Sequence, residues 1–338
     1  MHRRVSTKTT RIHPWSVDVI TLRDSFPFLM GPLSRCLSIL VYHRVLAEPD
    51  PLVPDQVCAS EFDRQLVVLD RWFTVLPLRE AAARLRGGTL PIRSASVTFD
   101  DGYADNIAVA LPILRRRGVP ATFFLATSFI DGGRMWNDSV IETIRGAQGD
   151  TLDARCIGLD TLSISTIDLR RQAIERLLAA LKYLPFEERQ RRVEELAAET
   201  SRSLPSDLMM TAEQVRHLRA SDMEIGAHTV THPILTQLNS ERANSEIRDS
   251  KRRLEAITGN PVTLFAYPNG KPGRDYLREH VGMVKRLGFE AAVSTAWGVA
   301  HAASDPFQLP RFTPWDRTPG KFVLRLFHNT FRARAGQV

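Results

Sequence analysis

Two rhythms of apolar residues run along this chain. From Ser38 to Leu125, short strand-like runs alternate with stretches of helical period. Ser38 to Tyr42 reads as a strand, and Ser60 to Trp72 as a helix with Phe62, Leu66, Val68 and Leu69 on one face. Phe73 to Leu76 is a short strand, and Leu78 to Leu85 a helix stopped by Gly87-Gly88. In Ala95 to Phe99 apolar Ala95, Val97 and Phe99 alternate with Ser96 and Thr98, the period of a strand. A helix from Asn106 to Arg117 ends at Gly118 before Pro120, and Ala121 to Leu125 is the next strand. This alternation predicts an α/β domain with a parallel sheet.

Residues 131 to about 210 break the rhythm. Trp136 to Arg145 and Leu169 to Thr200 read as helices, the latter interrupted by Pro185, so this stretch is expected to be a helical insertion or lid. Thr211 and Gln214 suit a capping box for a helix to Arg219, and Met223 to Ala227 is a short buried strand. A charged helix from Ser240 to Thr258 is ended by Gly259. Strands follow at Val262 to Ala266, Phe289 to Thr295 and Phe307 to Phe312, with a helix from Asp275 to Leu287 among them. Residues 1 to 36, broken by Pro14, Pro27 and Pro32, are expected to be an extension outside a domain spanning 37 to 320. Residues 321 to 338 form a tail in which Phe322, Val323, Leu326 and Phe327 mix with Lys321, Arg325, Arg332 and Arg334. That pattern suits a basic amphipathic helix, resting either on an anionic membrane surface or on the protein's own core.

Composition narrows the class. The 45 basic and 38 acidic residues leave a charge of +7, much of it in Arg115 to Arg117 and Arg189 to Arg192, which read as solvated helix faces. No nucleic-acid motif accompanies it. Cys36, Cys58 and Cys156 are widely spaced, without C-x-x-C, which argues against a disulfide framework or a cysteine metal site. No charged-then-apolar leader and no run long enough to span a membrane is evident, so a cytoplasmic location is the expectation.

The chemistry gathers at strand ends. Thr98-Phe99-Asp100-Asp101-Gly102-Tyr103 places two carboxylates where a strand ends and Gly102 turns the chain. Taken alone, an Asp-Asp-Gly is also an ordinary solvated turn. Gly226-Ala227-His228-Thr229-Val230-Thr231-His232-Pro233 places two imidazoles at the end of a second strand. Two imidazoles and a carboxylate make a three-ligand site for a divalent metal with an open position, as in catalytic sites. Spacing does not say which carboxylate is the ligand.

These two motifs, in this order, resemble the polysaccharide deacetylases, carbohydrate esterase family 4. Phe265-Ala266-Tyr267-Pro268-Asn269-Gly270 resembles the family's third motif, and the resemblance runs from about Ile39 to Pro314. It implies a distorted (β/α) barrel of about seven parallel strands and a metal-dependent hydrolase that removes N-acetyl groups from sugar units. It implies Asp100 as general base and Asp101, His228 and His232 as metal ligands. Zn2+ is the first choice, with Co2+, Ni2+ or Mn2+ also compatible with mixed N/O ligands. The Asn269 N–H would then serve the oxyanion, and Tyr103, Trp136 and Tyr267 are candidate contacts to the sugar. The chain departs from the family in two places. Ala266 stands where an Arg usually orients the base, which makes Arg311 in Leu309-Pro310-Arg311-Phe312 the candidate substitute, a surface Arg being the alternative. The late Leu-x-x-x-His segment that carries the general acid has no clear counterpart. Of His43, His280 and His301, only His43 ends a predicted strand, which makes it the candidate acid or a substrate-binding group. The expected substrate is a glycan or glycolipid precursor. A sugar-binding protein without turnover and a hydrolase of another small amide are the competing readings.

Overall fold

The computed structural model describes residues 35–200, 203–330 and 336–338. The expected N-terminal extension lies outside these apart from its last two residues, as do Arg332 and Arg334 of the tail.

Strands β1 (Leu37–Tyr42), β2 (Thr74–Val75), β3 (Ser94–Phe99), β4 (Ala121–Leu125), β5 (Glu224–Ala227), β6 (Leu264–Ala266) and β7 (Ala291–Val293) form one parallel sheet. Its order is β1-β3-β4-β5-β6-β7, with β2 beside the start of β3. The helices are α1 (Ala59–Trp72), α2 (Leu78–Arg86), α3 (Leu111–Arg117), α4 (Trp136–Gly146), α5 (Ile167–Leu181), α6 (Phe186–Ala198), α7 (Ala212–Ala220), α8 (Ser240–Thr258), α9 (Arg278–Arg286) and α10 (Pro319–Thr330). The capping box of Thr211 and Gln214 opens α7, and Gly259 in the left-handed region closes α8.

Phe307 to Phe312, expected to be a strand, is instead an irregular segment that makes two isolated bridges. Leu309 pairs with Val293 of β7 and Phe312 with Leu40 of β1, so this segment spans the gap between the two ends of the sheet. Pro310 between them has no N–H to donate, which prevents a continuous ladder. The helix expected from Asp275 starts later, at Arg278.

All six residues of β3 are buried, so its alternating polar positions are not a solvent face. Ala95, Val97 and Phe99 join the main core, where Phe99 stacks on Phe123 of β4 at 4.7 Å between ring centroids. Ser96 and Thr98 are satisfied by donating to the Leu76 and Leu40 carbonyls, each at 2.8 Å. The register fixes the site: Tyr42 lies beside Phe99, Phe99 beside Phe123, Leu125 beside Ala227, and Ala227 beside Phe265. The residues that follow these strands therefore meet at one end of the sheet.

Helices α4, α5 and α6 of the insertion surround an apolar cluster of their own that includes Val140, Ile144, Leu177, Leu181, Val193 and Leu196. The tail helix α10 buries Phe322 and Leu326 in the main core and leaves Leu324 70% exposed. Of the four apolar residues considered for a membrane, Phe322 and Leu326 are thus taken up by the domain itself, and Val323 and Phe327 are partly exposed. Among the described residues no helix is long and apolar enough to cross a membrane.

Candidate active site

Asp100 and Asp101 follow β3 directly and are both buried. Asp101 sits at φ +75°, a left-handed conformation uncommon outside glycine, and Thr229, His232 and Asn269 sit at +66°, +55° and +57°. Four such residues at one end of the sheet are backbone held against its local preference, a feature that clusters at functional sites.

The geometry separates the two carboxylates. Arg311 donates from Nη1 and Nη2 to the two oxygens of Asp100, both at 2.7 Å, with the side chains 0% and 3% exposed. Its Nε donates to the Ser294 carbonyl and its Nη1 to Thr98 Oγ1, each at 3.1 Å, which fixes the guanidinium plane. Burial alone would raise the Asp100 pKa, but Arg311, His228 and His43 outweigh it and hold the carboxyl below its usual range.

Asp101 instead faces imidazoles. Its Oδ1 is 3.5 Å from His228 Nε2 and 3.4 Å from His232 Nε2, and this buried oxygen has no hydrogen-bond partner among the described residues. His228 Nδ1 lies 2.7 Å from the Ala266 carbonyl, an acceptor, so Nδ1 carries a proton and Nε2 is the nitrogen turned to the site. Burial pushes His232 down to about 3, Asp101 opposing and His228 assisting, which keeps that ring neutral. The ligand atoms of Asp101, His228 and His232 all lie within 4.8 Å of one another. An orphaned carboxylate oxygen facing two ring nitrogens fits a divalent cation.

The loop between the imidazoles is braced by Glu246 of α8. Its Oε2 accepts from the Val230 and Thr231 N–H groups and its Oε1 from the Thr231 hydroxyl, all at 2.8 Å. The third motif turns through Asn269 and Gly270, at φ +57° and +73°. A Cβ at Gly270 would lie 2.9 Å from the Thr295 nitrogen, so glycine is required both by conformation and by the close approach.

The site opens into a cavity of about 330 Å3 lined by His43, Asp101, His232 and Asn269 on the sheet side and by Trp136, Leu178, Lys182 and Arg189 from the insertion.

A polysaccharide deacetylase family model matches residues 87–292, which hold all three motifs. The chain belongs to that family. It is 22% identical over 277 residues to YxkH of Bacillus subtilis (strain 168), a protein its name groups with the polysaccharide deacetylases, covering 81% of this chain and 70% of that one. Among solved structures it resembles the Streptococcus pyogenes deacetylase PplD in complex with acetate, at TM-score 0.58 and 20% identity, over 86% of this chain and 97% of that one. IcaB from Ammonifex degensii is similar at TM-score 0.56 and 20% identity, over 88% and 97% of the two chains. At these identities the structural likeness establishes the fold, the (β/α) barrel of the deacetylases.

Within this deacetylase, the structure gathers Asp100, Asp101, His228, His232 and Arg311, and brings His43 and Asn269 to the same cavity. Trp136 lines the cavity. Tyr103 and Tyr267 do not act as exposed contacts. Tyr103 is 2% exposed and donates its hydroxyl to Asp138 at 3.1 and 3.2 Å. Tyr267 is fully buried, stacked on Tyr276 at 3.9 Å, with its hydroxyl donating to the Phe307 carbonyl at 3.1 Å. His280 is used locally, accepting from the Leu277 N–H at 2.9 Å. His328 of α10 lines a different groove, with Asp316 and Lys321.

Sequence reading passed over Asp138, Glu246 and Lys182, and it placed Arg189 on a solvated helix face, whereas Arg189 is buried with its guanidinium against Trp136 and Phe186. The run Trp136-Asn137-Asp138 at a helix start carried a signal, but nothing local to Asp138 announces Tyr103, 35 residues earlier, as its partner. Burial pushes the Asp138 carboxyl up to about 7, with Arg44 opposing and Asp101 assisting.

Proposed function

We propose that this deacetylase is a metal-dependent hydrolase that removes N-acetyl groups from sugar units of a glycan or glycolipid precursor. The observation that carries the reading is the division of labour between adjacent carboxylates: Asp100 clasped by Arg311, Asp101 turned toward His228 and His232. Asp101, His228 and His232 would hold the ion. When bound, a divalent cation supplies Lewis acidity and lowers the pKa of water near it.

The remaining steps belong to the chain's own side chains. Asp100, kept ionised by Arg311, takes the proton from the attacking water, and its two-point contact with the guanidinium holds it in one orientation. Asn269 lines the cavity, and its peptide N–H would be the donor to the developing oxyanion. Cleavage of the C–N bond gives acetate and an amine, and the amine requires a proton. His43 is the imidazole on the cavity wall for that role, or for holding the sugar. Trp136 offers an aromatic face to the sugar ring. The three cysteines are unpaired, which supports a cytoplasmic setting and hence a precursor rather than assembled polymer as substrate.

The test is acetate release from a panel of N-acetylated oligosaccharides, nucleotide sugars and lipid-linked sugars with added metal, beside Asp100→Asn. Release above that control supports the reading. Binding of sugar and metal with no release would replace it with a sugar-binding function.

A further inference from the structure

The wall of the cavity supplied by the insertion is cationic, and its charge is unbalanced. Among the described residues Arg189 and Arg311 are the two buried basic side chains, at 6% and 1% exposure. Arg311 has Asp100. Among the described residues Arg189 has no carboxylate partner, and its side chain makes one hydrogen bond, from Nη1 to the Lys182 carbonyl at 3.3 Å. Its guanidinium stands 5.1 Å from the Trp136 ring centroid and 5.9 Å from that of Phe186. A buried cation without an anion is costly, and an Arg has five donors to satisfy. Lys182 lies on the same wall. Burial pushes its pKa down, Asp275 opposes this, and Lys271 and Arg274 add to it, so this corner is already rich in positive charge. Leu178 and Ala179 complete the wall with apolar surface.

We infer that Arg189 and Lys182 seat an oxyanion carried by the substrate, a phosphate or carboxylate group attached to the N-acetylated sugar, while the acetamide lies toward Asp101, His232 and Asn269. The inference rests on the deacetylase reading for the sugar but not for the anion. A guanidinium fork matches either oxyanion through paired hydrogen bonds, and the ammonium adds a second charge without fixed geometry. The Trp136 ring, already under Arg189, joins the anion seat to the part of the cavity nearest the sugar. The insertion would thus select the substrate, and the sheet ends would act on it.

The experiment compares kcat/KM for acetate release from three probes: a neutral N-acetylglucosamine disaccharide, the uridine diphosphate sugar of N-acetylglucosamine, and a disaccharide of N-acetylglucosamine and glucuronic acid. The wild type is expected to favour one anionic probe over the neutral one by roughly tenfold or more, the worth of a charge-assisted contact, and the favoured probe identifies phosphate or carboxylate. That ratio should collapse in Arg189→Gln, fall in Lys182→Gln and recover in Arg189→Lys. Lys182 is less buried than Arg189, so its variant keeps the test open if Arg189→Gln fails to fold. Equal kcat/KM for neutral and anionic probes in the wild type, or a ratio unchanged in both Gln variants, overturns the anion seat and leaves the deacetylase reading intact. If no probe releases acetate, calorimetry with inorganic diphosphate and with glucuronate decides. Binding that weakens in Arg189→Gln upholds the seat while the deacetylase reading fails, and absence of binding to the wild type overturns the seat.

Discussion

The Arg311 guanidinium grips both oxygens of Asp100 at 2.7 Å, and the two side chains are 0% and 3% exposed. They are 211 residues apart in sequence. Arg311→Gln would leave a buried carboxylate unpaired, which costs about 3–5 kcal/mol when it stays charged. The Asp100 pKa then rises, so the acid limb of the kcat/KM profile should move to higher pH and the melting temperature should drop. An unshifted acid limb would show that another group sets it.

Asp100→Asn should keep its metal and lose activity by roughly two to four decades, because it removes a base and not a ligand. Metal content by elemental analysis and acetate release on the same preparation check both halves. Undiminished turnover would move the base elsewhere.

His228→Ala and His232→Ala should each abolish stoichiometric binding of one divalent ion, since each removes one of three gathered donors. Elemental analysis before and after dialysis against a chelator reads the result. Metal retained at wild-type stoichiometry in both variants would place the ion at other residues.

Asp138 predicts a pH dependence of stability. Its carboxyl is raised from 3.8 to about 7, so the folded state binds more protons than the unfolded state between those values. The stabilisation is therefore complete below the unfolded pKa and is lost as pH rises through about 7. Asp138→Asn removes this loss. The variant should gain stability relative to wild type between acidic and alkaline conditions, with a ceiling of about 4 kcal/mol. Denaturant unfolding at both ends of that range measures it, and a constant difference would mean an ordinary Asp138 titration.

Phe322→Ala and Leu326→Ala should each cost about 2–5 kcal/mol, because both side chains are fully buried in the main core, whereas Leu324→Ser should change stability by only about 0.5 kcal/mol. A membrane contact through this apolar face would require Phe322 and Leu326 to leave the core. The protein is accordingly expected to remain in the supernatant when anionic vesicles are sedimented, and lipid-dependent pelleting would reinstate the membrane reading.

Sequence alone carried the parts of this protein whose signal is local. The periods of the apolar residues located the strands and most helices, since a half-buried helix and a buried strand each impose a repeat on the chain. Motif order marked Asp100, Asp101, His228 and His232, because these residues stand at ends of strands that the pattern had already placed.

Tertiary structure decided what depends on distance through space. Only the parallel register brings the ends of β3 and β5 together, and only the irregular segment around Pro310 carries Arg311 back to Asp100. The alternation in β3 marks a strand but does not say what covers its polar positions, and all six of its residues are buried. Tyr103 and Tyr267 look like sugar contacts when read as motif neighbours, yet their hydroxyls are held by Asp138 and Phe307. The left-handed backbone at Asp101, Thr229, His232 and Asn269 has no sequence signature either. Non-glycine residues take it up because surrounding contacts, such as those of Glu246 to the Val230 and Thr231 N–H groups, outweigh local preference, and such contacts exist only once the chain has folded.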